Sequence, residues 1–207
     1  MSATRLAMFP LGLVLFPHAI LPLHIFEPRY KVLMFDCMRG EPQFGVVLIE
    51  RGFEVGGGDT RFPVGTIARI VNGAELPDGR WIVEAVGTSR FEVDHWIADD
   101  PYPVATVRPR PELAFTDAAS DQLGQAERLV RRALALKEEL SEPAVPSTIE
   151  LEADPAVRAW QLVAIAPLGP VDQQSLLGVD DPAHRLADLA RLAEEEAHVL
   201  AYRLSGG

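Results

Sequence analysis

The reading of the whole chain turns on Phe9-Pro10-Leu11-Gly12-Leu13-Val14-Leu15-Phe16-Pro17-His18-Ala19-Ile20-Leu21-Pro22-Leu23-His24-Ile25-Phe26-Glu27-Pro28-Arg29-Tyr30. The run is apolar enough for a signal peptide or a membrane span. Pro10, Pro17 and Pro22 argue against both, because each would remove a helix donor and clash with the preceding turn. His18 and His24 add polar groups that hydrocarbon accepts only at a cost, and no small-residue cleavage site follows. The expectation is therefore a cytoplasmic chain with no membrane partner. The prolines instead punctuate short strands over Leu13–Phe16 and Ala19–Ile25. Tyr30, Leu33, Met34 and Cys37 then recur at helical spacing ahead of Gly40, which predicts a helix over Pro28–Met38.

Beyond that helix the pattern returns to β. Phe44–Ile49 is a buried-strand candidate, Gly56-Gly57-Gly58 a hairpin tip, and Thr66–Val71 a further strand. Leu76-Pro77-Asp78-Gly79 is the clearest local signal, since Asp-Gly suits a tight two-residue turn with positive φ at both positions. Its flanks, Ile67–Glu75 and Trp81–Val86, are expected to pair antiparallel. Arg90–Ile97 and Tyr102–Val107 extend the sheet around an Asp99-Asp100-Pro101 turn. Short strands with turns at this spacing point to a small, partly closed β-barrel.

The second half is helical in pattern. Leu123, Ala126, Val130, Ala133 and Leu140 form a stripe along about 117–140. Ser147-x-x-Glu150 is a possible capping box. Asp154-Pro155 and Asp181-Pro182 each place an N-cap acid before a proline at the first helical position. The last helix runs from Pro182 to Leu204. The predicted class is α+β, with a β-rich domain over residues 1–115 and a helical bundle over 116–207.

The net charge is −11 with 48% hydrophobic residues, a globular balance whose sign repels phosphate backbones, so no nucleic acid partner is expected. Cys37 is the only cysteine, which excludes a disulfide framework and any zinc site of several thiolates. No phosphate-cradling glycine loop precedes either lysine, Lys31 or Lys137. His24-x-x-Glu27 lies in extended chain, where positions three apart face opposite ways. Glu195-x-x-His198 matches half of a di-iron motif, but the other such pair, Glu92-x-x-His95, falls in a predicted strand. Solvated helix surface is the better reading of Glu194, Glu195 and Glu196. Cys37 with His18 or His24 is a conceivable thiolate pair, opposed by apolar surroundings that raise a thiol's pKa.

Several of these residues together resemble one known family. Leu21–Tyr30 reproduces the L-P-L-x-I-F-E-P-R-Y run of the N-terminal substrate-binding domain of Lon-type ATP-dependent proteases. Phe9–Pro17 follows the preceding F-P-L-x-x-x-V-L-F-P run with one position fewer between Leu11 and Val14. Val64–Ile70 resembles the family's V-G-T-x-A-x-I strand, Leu76–Gly79 its hairpin, and Gly87 with Arg90-Phe91 its G-x-x-R-F strand. Pro101-Tyr102, Gln174–Leu177 and Arg185-Leu186 continue the likeness toward the C-terminus.

The resemblance implies a PUA-like β-subdomain followed by a helical bundle, and a module that recognises unfolded or degron-bearing polypeptides. A protease or chaperone is the further partner it suggests. No residues of an ATPase or of a serine–lysine protease are present, so the chain is expected to be non-catalytic, with no cofactor and no metal. PUA-like folds also bind RNA, which makes an RNA-binding protein the alternative, although no basic stripe with interleaved aromatics supports it. Phe16, Ile25, Phe26 and Tyr30 are the candidate peptide-binding residues. Glu27 and Arg29 are a candidate structural ion pair locking the strand-to-helix corner.

Overall fold

A computed structural model describes residues 4–51 and 60–206. The expected Gly56–Gly58 tip lies outside the described residues. The chain divides into two compact units, Met1–Pro111 and Glu112–Gly207, a boundary just ahead of the expected one at residue 115. The shift arises because Glu112 is tied by its side chain to Arg185 and Trp160 of the helical unit.

The first unit holds β1 (Thr4–Leu11), β2 (Ile20–Ile25), α1 (Pro28–Arg39), β3 (Gln43–Arg51), β4 (Thr60–Glu75), β5 (Trp81–Ile97) and β6 (Val104–Pro109). Together they make one mixed sheet in the order β2-β5-β4-β3-β1-β6, in which only β1 and β3 run parallel. β6 also pairs with β5, so the pairing leads from β5 through β4, β3, β1 and β6 back to β5. What permits this return is the length of β5. Its first half pairs β2 over Trp81–Val86, and its second half pairs β6 over Phe91–Ile97.

Leu13–Phe16 is not a strand, contrary to expectation; the first strand lies earlier, at Thr4–Leu11. Leu15 and Phe16 are buried all the same, held by single tethers rather than a ladder. The Thr66 hydroxyl donates to the Leu15 carbonyl at 2.6 Å, and His18, in the left-handed region at φ 65°, donates its N–H to Gly87. Pro17 with that turn redirects the chain into β2. The Gly87 N–H bonds the Ala19 carbonyl, and such pairs alternate by two, so Leu21, Leu23 and Ile25 present their backbone groups to β5. Pro22 therefore stands where the missing N–H faces the outer edge, the position a strand proline tolerates.

The hairpin at Leu76–Arg80 also departs from the two-residue turn expected. Only Gly79 has positive φ, at 75°; Leu76 and Arg80 close the loop through a 2.7 Å bond, leaving three residues between them. Pro77 supplies the fixed φ of a type I turn and Gly79 the left-handed step that follows it. The flanking strands pair antiparallel as expected, from Ala68↔Gly87 to Glu75↔Trp81. Trp81–Val86 and Arg90–Ile97, expected as two strands, are one.

The second unit consists of α2 (Asp117–Glu139), α3 (Pro155–Ile165), α4 (Pro170–Leu177) and α5 (Pro182–Leu204). Asp154 caps Ala156 and Val157, and Asp181 caps Ala183, each ahead of the proline that opens its helix. The expected stripe of α2 is buried at Leu123, Ala126, Val130 and Ala133. Ala133 clusters with Ala197 and Leu200 of α5, and the two alanines let the helices approach closely. Ser147 caps no helix: it lies in a turn, where its N–H and hydroxyl both donate to Glu138 of α2.

Candidate functional site

α1 starts at the end of the opening stretch, with Glu27 at its N-cap and Pro28 at the first helical position. Its inner stripe is the expected one, Tyr30, Leu33, Met34 and Cys37, all buried against the sheet. The Tyr30 ring stacks on Phe9 at 4.0 Å, and the Arg29 guanidinium lies 4.5 Å from the Tyr30 ring centroid. Arg29 Nε donates to Glu27 Oε2 at 3.1 Å, an ion pair bridging the corner between β2 and α1.

These positions correct the list of contact candidates. Phe16, Ile25 and Tyr30 are 2%, 2% and 3% exposed, so they build the core and are not exposed contact groups. Phe26 alone of the four is at the surface, 55% exposed, because it follows Ile25 with the opposite orientation. It borders a small cleft of about 120 Å3 with Leu23, Glu27 and the edge of Tyr30.

The outer face of α1 is also apolar. Val32, Phe35 and Met38 recur every three residues and are 41%, 51% and 45% exposed. Beside them the β4–β5 hairpin leaves a groove of about 320 Å3 between Lys31, Val32 and Phe35 on one wall and Glu75, Gly79 and Trp81 on the other. Met38 reaches β4, where a Cβ on Gly73 would lie 3.8 Å from its sulfur, an ordinary contact distance. Arg39 sits 5.1 Å over the Phe35 ring. A surface of this kind buries apolar side chains of a partner while its charged rim stays wet. The three residues were not singled out from sequence, although their spacing was visible on a helix apolar around most of its circumference.

The model of the ATP-dependent protease La (LON) substrate-binding domain matches residues 5–195. The chain belongs to this family. It is 29% identical over 207 residues to Lon protease 2 of Herpetosiphon aurantiacus and 26% identical over 198 residues to the Lon protease of Phenylobacterium zucineum. Those alignments take in 96% and 92% of this chain but 25% and 24% of the relatives, so the chain spans about a quarter of their length. Among solved structures, a Lon N-terminal domain protein from Xanthomonas campestris matches with a TM-score of 0.58 and 29% identity, covering 90% of this chain and 96% of that one. The N-terminal domain of a Mycobacterium avium complex Lon protease matches with a TM-score of 0.67 at 16% identity, covering 93% and 99%, and shares the fold.

In this LON substrate-binding domain the candidate chemical groups are engaged structurally. Burial, helped by the charge of Asp36, pushes the Cys37 thiol up to about 11, and its S–H donates to the Gln43 carbonyl. At neutral pH it is a protonated core group, while His18 and His24 lie exposed. Tyr102 is pushed up to about 12 by burial and by donating its hydroxyl to Asp36 at 2.8 Å. Glu195 is bonded to Arg191 one turn away, as expected of helix surface. His95 stands between Asp94 and Thr106, at 3.4 and 3.1 Å, on an exposed strand face. Among the described residues no group of three or more His, Cys, Asp or Glu is arranged to hold a metal, and no helix is long and apolar enough to cross a membrane.

Proposed function

We propose that this domain binds unfolded or degron-bearing polypeptides, and that the α1–hairpin groove takes their apolar side chains. The observation that carries the reading is the exposed row Val32, Phe35 and Met38 beside an open groove, on a chain of the LON substrate-binding family. Phe26 extends the apolar contact toward the start of α1, and the Glu27–Arg29 pair holds that corner in place. The domain acts by binding alone, delivering its polypeptide to a protease or chaperone that supplies the chemistry. We read the returning β5–β6 pairing as a PUA-like barrel and the four helices as a bundle.

The test is fluorescence anisotropy with a labelled, permanently unfolded casein fragment. Phe35→Ala with Met38→Ala should weaken binding at least tenfold, given about 1–2 kcal/mol for each large apolar contact removed from an interface. Unaltered circular dichroism would show that the fold survives. Undiminished affinity of a folded double variant overturns the groove assignment, and absence of binding by the wild-type domain overturns the function.

A further inference from the structure

The interior of the strand ring is closely packed at its middle and open at one end. At the middle, a Cβ on Gly45 would lie 2.6 Å from the Met8 sulfur and 2.9 Å from the Phe91 ring, and one on Gly65 would lie 2.7 Å from the same ring. At the end reached by Thr4 and Pro109, a cavity of about 220 Å3 remains. All five ring strands line it: β1 with Leu6, β3 with Gln43, β4 with Ile67, β5 with Phe91, and β6 with Val107 and Pro109. Leu6, Phe91 and Val107 belong to the buried cluster that fills the ring, while Thr4, Ser89 and Pro109 are exposed, so the cavity has a core floor and a rim open to solvent. Roughly 150 Å3 of apolar space suffices to hold benzene in a protein interior.

The polar groups decide the class of ligand. Ser89, Thr4 and Gln43 are the uncharged polar residues of its lining, the Gln43 amide nitrogen already donating to Glu41 at 2.9 Å. Arg90 also borders it, but stands opposite Thr66 in the register, and residues directly opposite share a face. Thr66 turns its hydroxyl to Leu15, away from the ring interior that Gly65 and Phe91 face, and Arg90 Nη2 reaches the Pro111 carbonyl. The cationic head is thus already engaged by a backbone carbonyl at the rim. We infer that the ring mouth is a second binding site, separate from the α1 groove, for a small neutral molecule with one apolar ring and a single hydrogen-bonding group. Mouths of β-barrels are recurrent places for such sites.

The experiment is a titration of the methyl-labelled protein with p-cresol, followed by NMR. Saturable shifts at Leu6, Ile67 and Val107 are expected, with Val32 and Met38 unmoved. Benzoate, of similar size but anionic, should bind at least tenfold more weakly. Ile67→Phe fills the cavity and should abolish the shifts, whereas Phe35→Ala should leave them intact, so this site and the polypeptide groove fail independently. No saturable shift up to the solubility of p-cresol, shifts centred on α1, or equal binding of benzoate each overturn the inference. Should the filled variant not fold, nuclear Overhauser contacts between p-cresol and the Leu6 and Val107 methyls decide, their absence counting against it.

Discussion

The Arg185 guanidinium lies 3.6 Å over the ring of Trp160, and the two side chains donate to the same carboxylate, Glu112. Arg185 is fully buried in α5, where burial pulls its pKa below the ordinary range and the Glu112 charge opposes that pull. Its Nη1 also donates to the Val179 carbonyl at 3.1 Å. The arginine of the family's R-L stretch is thus the hub around which the start of the helical unit is fastened.

Glu112→Gln leaves that guanidinium buried without its counter-charge. Breaking a buried pair costs about 3–5 kcal/mol; because the Glu112 side chain is partly exposed, about 2–3 kcal/mol is expected here. Urea unfolding followed by Trp160 fluorescence measures it. A combined Glu112→Leu and Arg185→Met variant should recover much of the loss, since it removes both charges.

Gly87 marks the point where β5 exchanges β2 for β6. A Cβ there would lie 2.1 Å from the Phe16 carbonyl oxygen, a backbone atom that cannot swing aside. Gly87→Ala should therefore cost about 3 kcal/mol, at the upper end for overpacking, and loosen the Leu15–Phe16 segment. Gly124→Ala is the contrast. In α2 the added methyl meets only the tip of Arg128 at 3.8 Å, so helix propensity wins and stability rises by about 0.8 kcal/mol. Chemical denaturation of both variants separates the two mechanisms.

Phe16 and Phe26 were equal candidates for polypeptide contact and have opposite fates. Phe16→Ala should destabilise by about 3–5 kcal/mol as a buried aromatic truncation. Phe26→Ala should change stability by less than about 0.5 kcal/mol, as exposed substitutions do, and weaken polypeptide binding instead. Thermal unfolding and casein-fragment anisotropy on the same samples read both effects.

What was legible in the sequence was periodic or local. The 3.6-residue recurrence of Tyr30, Leu33, Met34 and Cys37 gave α1 its buried face, and the Asp-Pro pairs gave two helix starts. Leu13–Phe16 was misread because an apolar run signals burial but not ladder pairing. Its anchors, Thr66 and Gly87, are far away in the chain. The groove was hidden for a related reason. Val32, Phe35 and Met38 share the helical period of the core stripe, and only the placement of the β4–β5 hairpin shows which face stays open.

Cys37 offers a test of burial through pH. Its ordinary value is 9.0 and the folded value about 11, so between those limits the native state keeps a proton that the unfolded chain has released. Stability contributed by the neutral thiol is present in full below pH 9 and is lost as pH rises toward 11. The stability of the wild-type domain relative to Cys37→Ala should therefore fall across that window and stay level between pH 6 and 8. The same proton governs reactivity, because the thiolate is the nucleophile and it forms only near pH 11 in the folded domain. Iodoacetamide should modify native Cys37 slowly at pH 8 and faster once urea exposes it. A native rate at pH 8 equal to that of the unfolded chain would show that the thiol is reached by solvent, and the packing of α1 against the sheet would have to be looser than the stacking of Phe9 on Tyr30 implies.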